Sequence, residues 1–237
     1  MDKYKGKTLS ILGDSISTYT NYSNGEAAKI NKTIINNHIY YYPGRYGVYL
    51  EDTWWMQVIN KLGFKLLLNN SWSGSCIYQT RSETEGAYIS RCTELHNDQT
   101  LEEPEYILIF LGTNDFGMFY DLNGDANIDY DTLVNPTTTC EAYAIMLSKI
   151  KKRYPNAKVY CMGLLAREYK YNEILKFNKD LESIINHYGY IYIDLFDTEI
   201  KYNLNRYCDY IVDGVVHPSK LGMKIIADKV IEVLLNK

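Results

Sequence analysis

The chain of 237 residues carries 25 Lys and Arg against 29 Asp and Glu, a net charge of −4, with 46% hydrophobic and 23% charged residues. That balance lies outside the range of disordered chains and lacks the basic excess that a nucleic-acid binder needs to neutralise phosphates. A chain of this length buries a sizeable core without disulfides or structural metals.

Five apolar runs, at residues 8–12, 65–68, 106–111, 158–162 and 191–195, are nearly continuous rather than alternating. Such runs suit strands covered on both faces. Between them the spacing predicts helices. Residues 53–62 open at Thr53 and stop at Gly63, and residues 139–154 carry Ala142, Ile145, Met146, Leu147 and Ile150 before Pro155. Residues 171–188 stop at Gly189, and residues 218–235 open with Pro218 in the first turn. Strands alternating with helices predict parallel strands joined by right-handed crossovers, hence a three-layer α/β/α sandwich. No linker or repeat interrupts the chain, so residues 1–237 are expected to form one domain. Two stretches break the alternation, 17–52 and 116–138, and both follow the carboxyl end of a strand, where open α/β sheets place ligands.

The five cysteines (Cys76, Cys92, Cys140, Cys161, Cys208) have neither a disulfide-framework pattern nor metal-type spacing, so a reducing, cytoplasmic setting is expected. The first apolar run is too short for a signal-peptide core, and no segment resembles a membrane span. Tyrosine is enriched, at 24 residues against 6 Phe. Its apolar ring with a polar tip suits amphipathic surfaces and carbohydrate-like ligands, although compositional drift explains the count equally well.

Four strand ends carry chemistry. Leu12-Gly13-Asp14-Ser15 places a serine just past the first strand, where it is either an exposed nucleophile or a helix cap. Ser17 stands where a G-x-S-x-G elbow needs glycine, which excludes that motif. Ser73-Gly74-Ser75 follows the second strand, and a glycine there can offer its N–H to a ligand or simply make a turn. Gly112-Thr113-Asn114-Asp115 follows the third, where Asn114 is a donor for an oxyanion or part of an Asx turn. Asp213-Gly214-Val215-Val216-His217 precedes the last helix and supplies an acid close to an imidazole.

In this order the four blocks resemble the SGNH (GDSL-like) hydrolase superfamily, with coverage from Leu9 to Val233. The resemblance implies a flavodoxin-like sheet of five parallel strands, order 2-1-3-4-5. It also implies Ser15 as nucleophile, His217 as general base and Asp213 as its orienting acid. The oxyanion would be held by the Ser15 and Gly74 N–H groups and the Asn114 amide, with neither cofactor nor metal required. Asp14, Tyr41 and Trp72 are the expected substrate contacts, and the Tyr-rich stretch 17–52 a candidate wall or lid. Three residues separate Asp213 from His217, whereas the family spaces them D-x-x-H, so a local bulge must absorb one residue or the imidazole loses its carboxylate.

The expected activity is cleavage of a small carboxylic ester, possibly an acetyl ester on a carbohydrate, by an acyl-enzyme route. The competing readings are a thioesterase or a lysophospholipase/lipase, and, from another class, a catalytically silent binding module. The expected partner is a small-molecule acyl ester; nothing in the sequence bears on oligomeric state. Asp121-Leu122-Asn123-Gly124-Asp125 resembles the first half of an EF-hand loop, but Ala126 replaces the glycine at position six and Thr132 the acid at position twelve.

Overall fold

In the computed structural model, which describes residues 3–24, 28–30, 33–35, 38–78, 86–118 and 120–237, the five apolar runs become five parallel strands. β1 (Thr8–Gly13) is buried along its whole length and pairs on one side with β4 (Lys65–Ser71) and on the other with β5 (Tyr106–Phe110). β6 (Lys158–Met162) and β7 (Ile191–Ile193) extend the sheet, giving the order β4-β1-β5-β6-β7, which is the expected 2-1-3-4-5. A separate antiparallel hairpin, β2 (Ala28–Ile30) with β3 (Thr33–Ile35), lies within the 17–52 stretch.

Among the described residues, seven α-helices follow in sequence order: α1 (Trp54–Leu62), α2 (Thr113–Met118), α3 (Thr139–Arg153), α4 (Tyr171–His187), α5 (Glu199–Tyr202), α6 (Tyr207–Tyr210) and α7 (Lys220–Asn236). Strand periodicity divides the core between the two faces. Tyr106, Leu108 and Phe110 of β5 join the cluster containing Trp54 and Val58 of α1 and Ile226 and Val230 of α7. Ile107 and Ile109 point the other way, into the cluster with Met146 and Ile150 of α3 and Leu181 and Ile185 of α4. The sheet is therefore the middle of three layers.

Local chemistry sets the helix ends. The Thr53 hydroxyl accepts from Met56 N at the start of α1, and Gly63 ends it at φ +77°. Thr138 and Glu141 form a capping box at the start of α3. The last helix starts later than expected: it begins at Lys220 with Ser219 as its cap, accepting from Gly222 N at 3.2 Å. Pro218 stays outside, bridged to Ile211.

The connection from β4 to β5 holds no α-helix among its described residues; a short 3₁₀ turn, Arg91–Thr93, is its only helical element there. Trp54 and Trp55, at the start of α1, are both fully buried, because α1 turns this end of its apolar stripe wholly toward the sheet.

Candidate active site

Ser15 begins a 3₁₀ turn, Ser15–Ser17, directly after β1, and Asp14 caps that turn by accepting from Ile16 N at 3.0 Å. Gly13 is required by crowding: a Cβ there would lie 2.7 Å from Ser17 Cβ and from Ser71 Oγ. The chain can thus turn sharply between β1 and β4 and present the Ser15 hydroxyl at the sheet edge.

His217 arrives from the other end of the chain. Its Nε2 lies 2.8 Å from Ser15 Oγ and its Nδ1 2.5 Å from Asp213 Oδ2. With Nδ1–H donating to the carboxylate, Nε2 is the acceptor for the serine hydroxyl. The extra residue between Asp213 and His217 is absorbed by Gly214, at φ +66°, inside a loop closed by the Ile211–Pro218 bridge. Asp213 Oδ1 accepts from the backbone N–H groups of Val215 (2.9 Å), Val216 (2.9 Å) and His217 (3.1 Å). One carboxylate therefore shapes the loop with one oxygen and meets the imidazole with the other.

Burial alone would raise the Asp213 pKa, but the His217 N–H and the three backbone donors outweigh it and hold the carboxyl below its usual value. Burial lowers the His217 pKa below 6.5; Asp213 opposes this, while the Arg45 and Arg167 cations reinforce it. A tyrosine also covers the imidazole. The Tyr40 ring lies parallel to His217 with centroids 3.4 Å apart, and the Arg45 guanidinium sits 3.9 Å from the same tyrosine centroid. Two groups this close to one ring cannot share a face, so Arg45 stacks on the side away from His217. The 17–52 stretch thus reaches the site through Tyr40.

Gly74 lies in a turn at φ +79°, within which Ser75 N donates to Trp72 O. The Asn114 amide, in the first turn of α2, donates one hydrogen to Ser75 O at 2.8 Å, so its plane is fixed against the Gly74 turn. Ser15, Gly74, Asn114, His217 and Asp213 are therefore brought to one edge of the sheet.

The three expected substrate contacts are not surface groups. Asp14 is fully buried, and burial raises its pKa to about 7. Tyr41 is also fully buried and donates its hydroxyl to Pro218 O at 2.7 Å, bracing the segment that carries His217. Trp72 is 6% exposed, with the Arg91 guanidinium 4.6 Å from its ring centroid and the His38 ring stacked nearby. Large rings with core neighbours gain more from burial than from lining a wet cleft.

Arg91 is the residue that no sequence pattern reveals, since it lies in a polar stretch without periodicity. Fully buried, it donates to Gly13 O (2.9 Å) and Asn70 O (2.6 Å) and contacts Ser75 Oγ. It ties the ends of β1 and β4 to the Gly74 turn. Burial lowers its pKa to about 9, against the opposing field of Asp14. Arg91→Leu leaves these acceptors unpaired and is expected to destabilise the fold by about 3 kcal/mol or more, read by chemical denaturation. A loss under about 1 kcal/mol would contradict that structural role.

Residues 121–132 fold onto themselves through short polar contacts: Asp125 Oδ1 accepts from Asn127 N at 2.9 Å, and Asp129 Oδ2 from Thr132 Oγ1 at 2.7 Å. Among the described residues no group of three or more His, Cys, Asp and Glu side chains is placed to hold a metal. Among them, too, no helix is long and apolar enough to cross a membrane.

Residues 7–234 match the family model for GDSL-like lipase/acylhydrolase. Comparison with curated proteins found no match. Among solved structures, a GDSL-like lipase from Bacteroides ovatus is 27% identical, with a TM-score of 0.68 over 98% of this chain and 100% of that one. A second, from Bacteroides uniformis, is 26% identical, with a TM-score of 0.68 over 98% and 97%. A catalytic mutant of an acetylxylan esterase from Geobacillus stearothermophilus, 17% identical with a TM-score of 0.62 over 98% and 95%, shares the fold. With the family model spanning nearly the whole sequence, the chain belongs to the GDSL-like lipase/acylhydrolase family.

Proposed function

We propose that this chain is a serine esterase that cleaves a small carboxylic ester, such as an acetyl ester on a carbohydrate. The observation that carries the proposal is the unbroken hydrogen-bonded line from Ser15 Oγ through His217 to Asp213, assembled from opposite ends of the chain. In this mechanism His217 Nε2 takes the Ser15 proton as Oγ attacks the acyl carbonyl. The tetrahedral oxyanion is received by the Ser15 and Gly74 N–H groups and by Asn114. One Asn114 amide hydrogen is held by Ser75 O, and the second is the donor for the oxyanion. Collapse breaks the ester C–O bond, and His217 returns the proton to the departing alcohol. Water, deprotonated by the same imidazole, then attacks the acyl-enzyme and releases the acid.

The small-ester assignment is supported by a cleft of about 520 Å³ beside the His217 loop, walled in part by Tyr169, Tyr207 and Val215. Its walls mix charged, aromatic and aliphatic groups, which suits a short acyl group on a hydroxylated ring better than a long alkyl chain. A panel of p-nitrophenyl esters tests this reading. Acetate and propionate esters are expected to give the highest kcat/KM, whereas a maximum at eight carbons or longer would transfer the assignment to lipases or thioesterases.

The lowered His217 pKa carries its own expectation. Only neutral imidazole accepts the serine proton, so activity falls as pH drops through the pKa of His217, and burial moves that midpoint below 6.5. The acid limb of kcat/KM is therefore expected below pH 6.5. It should persist in Asp14→Asn, which removes the carboxyl that titrates at about 7. A limb that disappears in that variant would assign it to Asp14 instead.

A further inference from the structure

Arg167 follows β6, in the connection leading to α4, at the sheet edge that carries the site, and the mechanism above does not use it. Burial lowers its pKa despite the opposing fields of Tyr207, Asp14 and Asp213. Yet among the described residues it makes neither a hydrogen bond nor an ion pair. Arg167 is half-buried, so its guanidinium reaches the water of the cleft, and its donors remain available to a ligand bound there. Arg91 shows the contrast, since its donors are spent on Gly13 O, Asn70 O and Ser75 Oγ. The two carboxylates whose fields reach Arg167 are committed elsewhere. Asp213 holds His217 and three backbone donors, and Asp14 caps the Ser15 turn.

The position of Arg167 is specific. On its inner side it shares a narrow crevice with Ile16, Thr113 and Val216, the sequence neighbours of Ser15, Asn114 and His217 respectively. On its outer side it lines the 520 Å³ cleft with Glu168, Tyr169 and Tyr207. It stands between the reacting groups and the space available to the rest of a substrate.

We propose that Arg167 binds a carboxylate carried by the ester substrate close to the scissile bond, making the substrate class a short-chain acyl ester of an acidic sugar such as a uronate. The parallel N–H groups of a guanidinium match a carboxylate. A single cation sharing its cleft with the Glu168 carboxylate suits one negative charge better than a phosphate dianion. The Tyr169 and Tyr207 rings offer faces for the sugar. The inference rests on the esterase reading above.

The test compares acetate release from acetylated methyl glucuronide, methyl glucoside and methyl 6-phosphoglucoside by the native protein, Arg167→Gln and Arg167→Lys. The native protein is expected to prefer the glucuronide over the glucoside by about tenfold or more in kcat/KM. Arg167→Gln should bring that ratio to about one, chiefly through KM, and Arg167→Lys should keep part of it. A native ratio near one, a ratio unchanged in Arg167→Gln, or a preference for the phosphorylated sugar would overturn the proposal. So would an equal loss on all three substrates that Asp14→Asn reproduces, which would make Arg167 an internal partner of Asp14. Should the variants not fold, competition on the native protein decides: methyl glucuronide must inhibit p-nitrophenyl acetate hydrolysis more strongly than methyl glucoside, and equal inhibition overturns the proposal. A native protein that cleaves p-nitrophenyl acetate without charge preference loses only the Arg167 assignment; one that cleaves no ester loses both.

Discussion

Ser15→Ala is expected to lower kcat for a short-chain p-nitrophenyl ester by about 10⁴-fold or more, with KM changed only a few-fold. In the proposed mechanism the hydroxyl oxygen forms the new bond, so its loss removes the covalent route while the cleft and the Asn114 donor stay in place. His217→Ala should cost a similar factor, because Ser15 Oγ is joined to Nε2 at 2.8 Å. Residues acting as one unit are strongly non-additive, so the double variant should be little worse than either single one. Additive losses would mean that the two side chains act in separate steps.

Asp213→Asn is the second large effect, about 10³- to 10⁴-fold in kcat. Asparagine preserves shape and can keep an oxygen for the N–H groups of Val215, Val216 and His217. Its amide, however, donates where the carboxylate accepts. Nδ1 would then lose its proton, Nε2 would carry it, and the imidazole could no longer accept from Ser15. The loop should survive while the base fails, so the melting temperature should move by only a few degrees as kcat collapses. A loss below tenfold would instead indicate a Ser15–His217 dyad. Asp213→Ala, which also releases the three backbone donors, should lower both activity and stability.

Much of this architecture is legible in the sequence, for physical reasons that differ by element. The five strands declare themselves because residues covered on both faces are mostly apolar: 106–111 satisfies that throughout, 158–162 except at Lys158, and 8–12 except at Thr8 and Ser10. β4 runs three residues past its apolar run, through Asn69, Asn70 and Ser71, and the buried Asn69 and Asn70 amides donate to Ser17 O and Glu94 O rather than adding to the apolar pattern. The β4–β5 connection is opaque because residues 72–105 have neither helical nor strand periodicity. At the site, Ser15, Asn114 and His217 are legible from their places just past strand ends or before the last helix. The spacing of Asp213 looks anomalous in sequence; the structure resolves it through the positive φ of Gly214 and a carboxylate that caps its own loop. Tyr41 and Trp72 mislead because an aromatic near a site reads alike whether it faces the cleft or the core. Tyr40 is legible only as one tyrosine of the 17–52 stretch and Arg91 not at all, since stacking on an imidazole and tying together two strand ends are tertiary relations without a sequence period.

Labelling with a fluorophosphonate, which traps an activated serine covalently, tests the central claim most directly. Intact-mass and peptide analysis of the native protein should show one adduct per chain on Ser15, lost in Ser15→Ala and strongly slowed in His217→Ala. Native protein that stays unlabelled, or an adduct on any other residue, would contradict the assignment of Ser15 as the nucleophile.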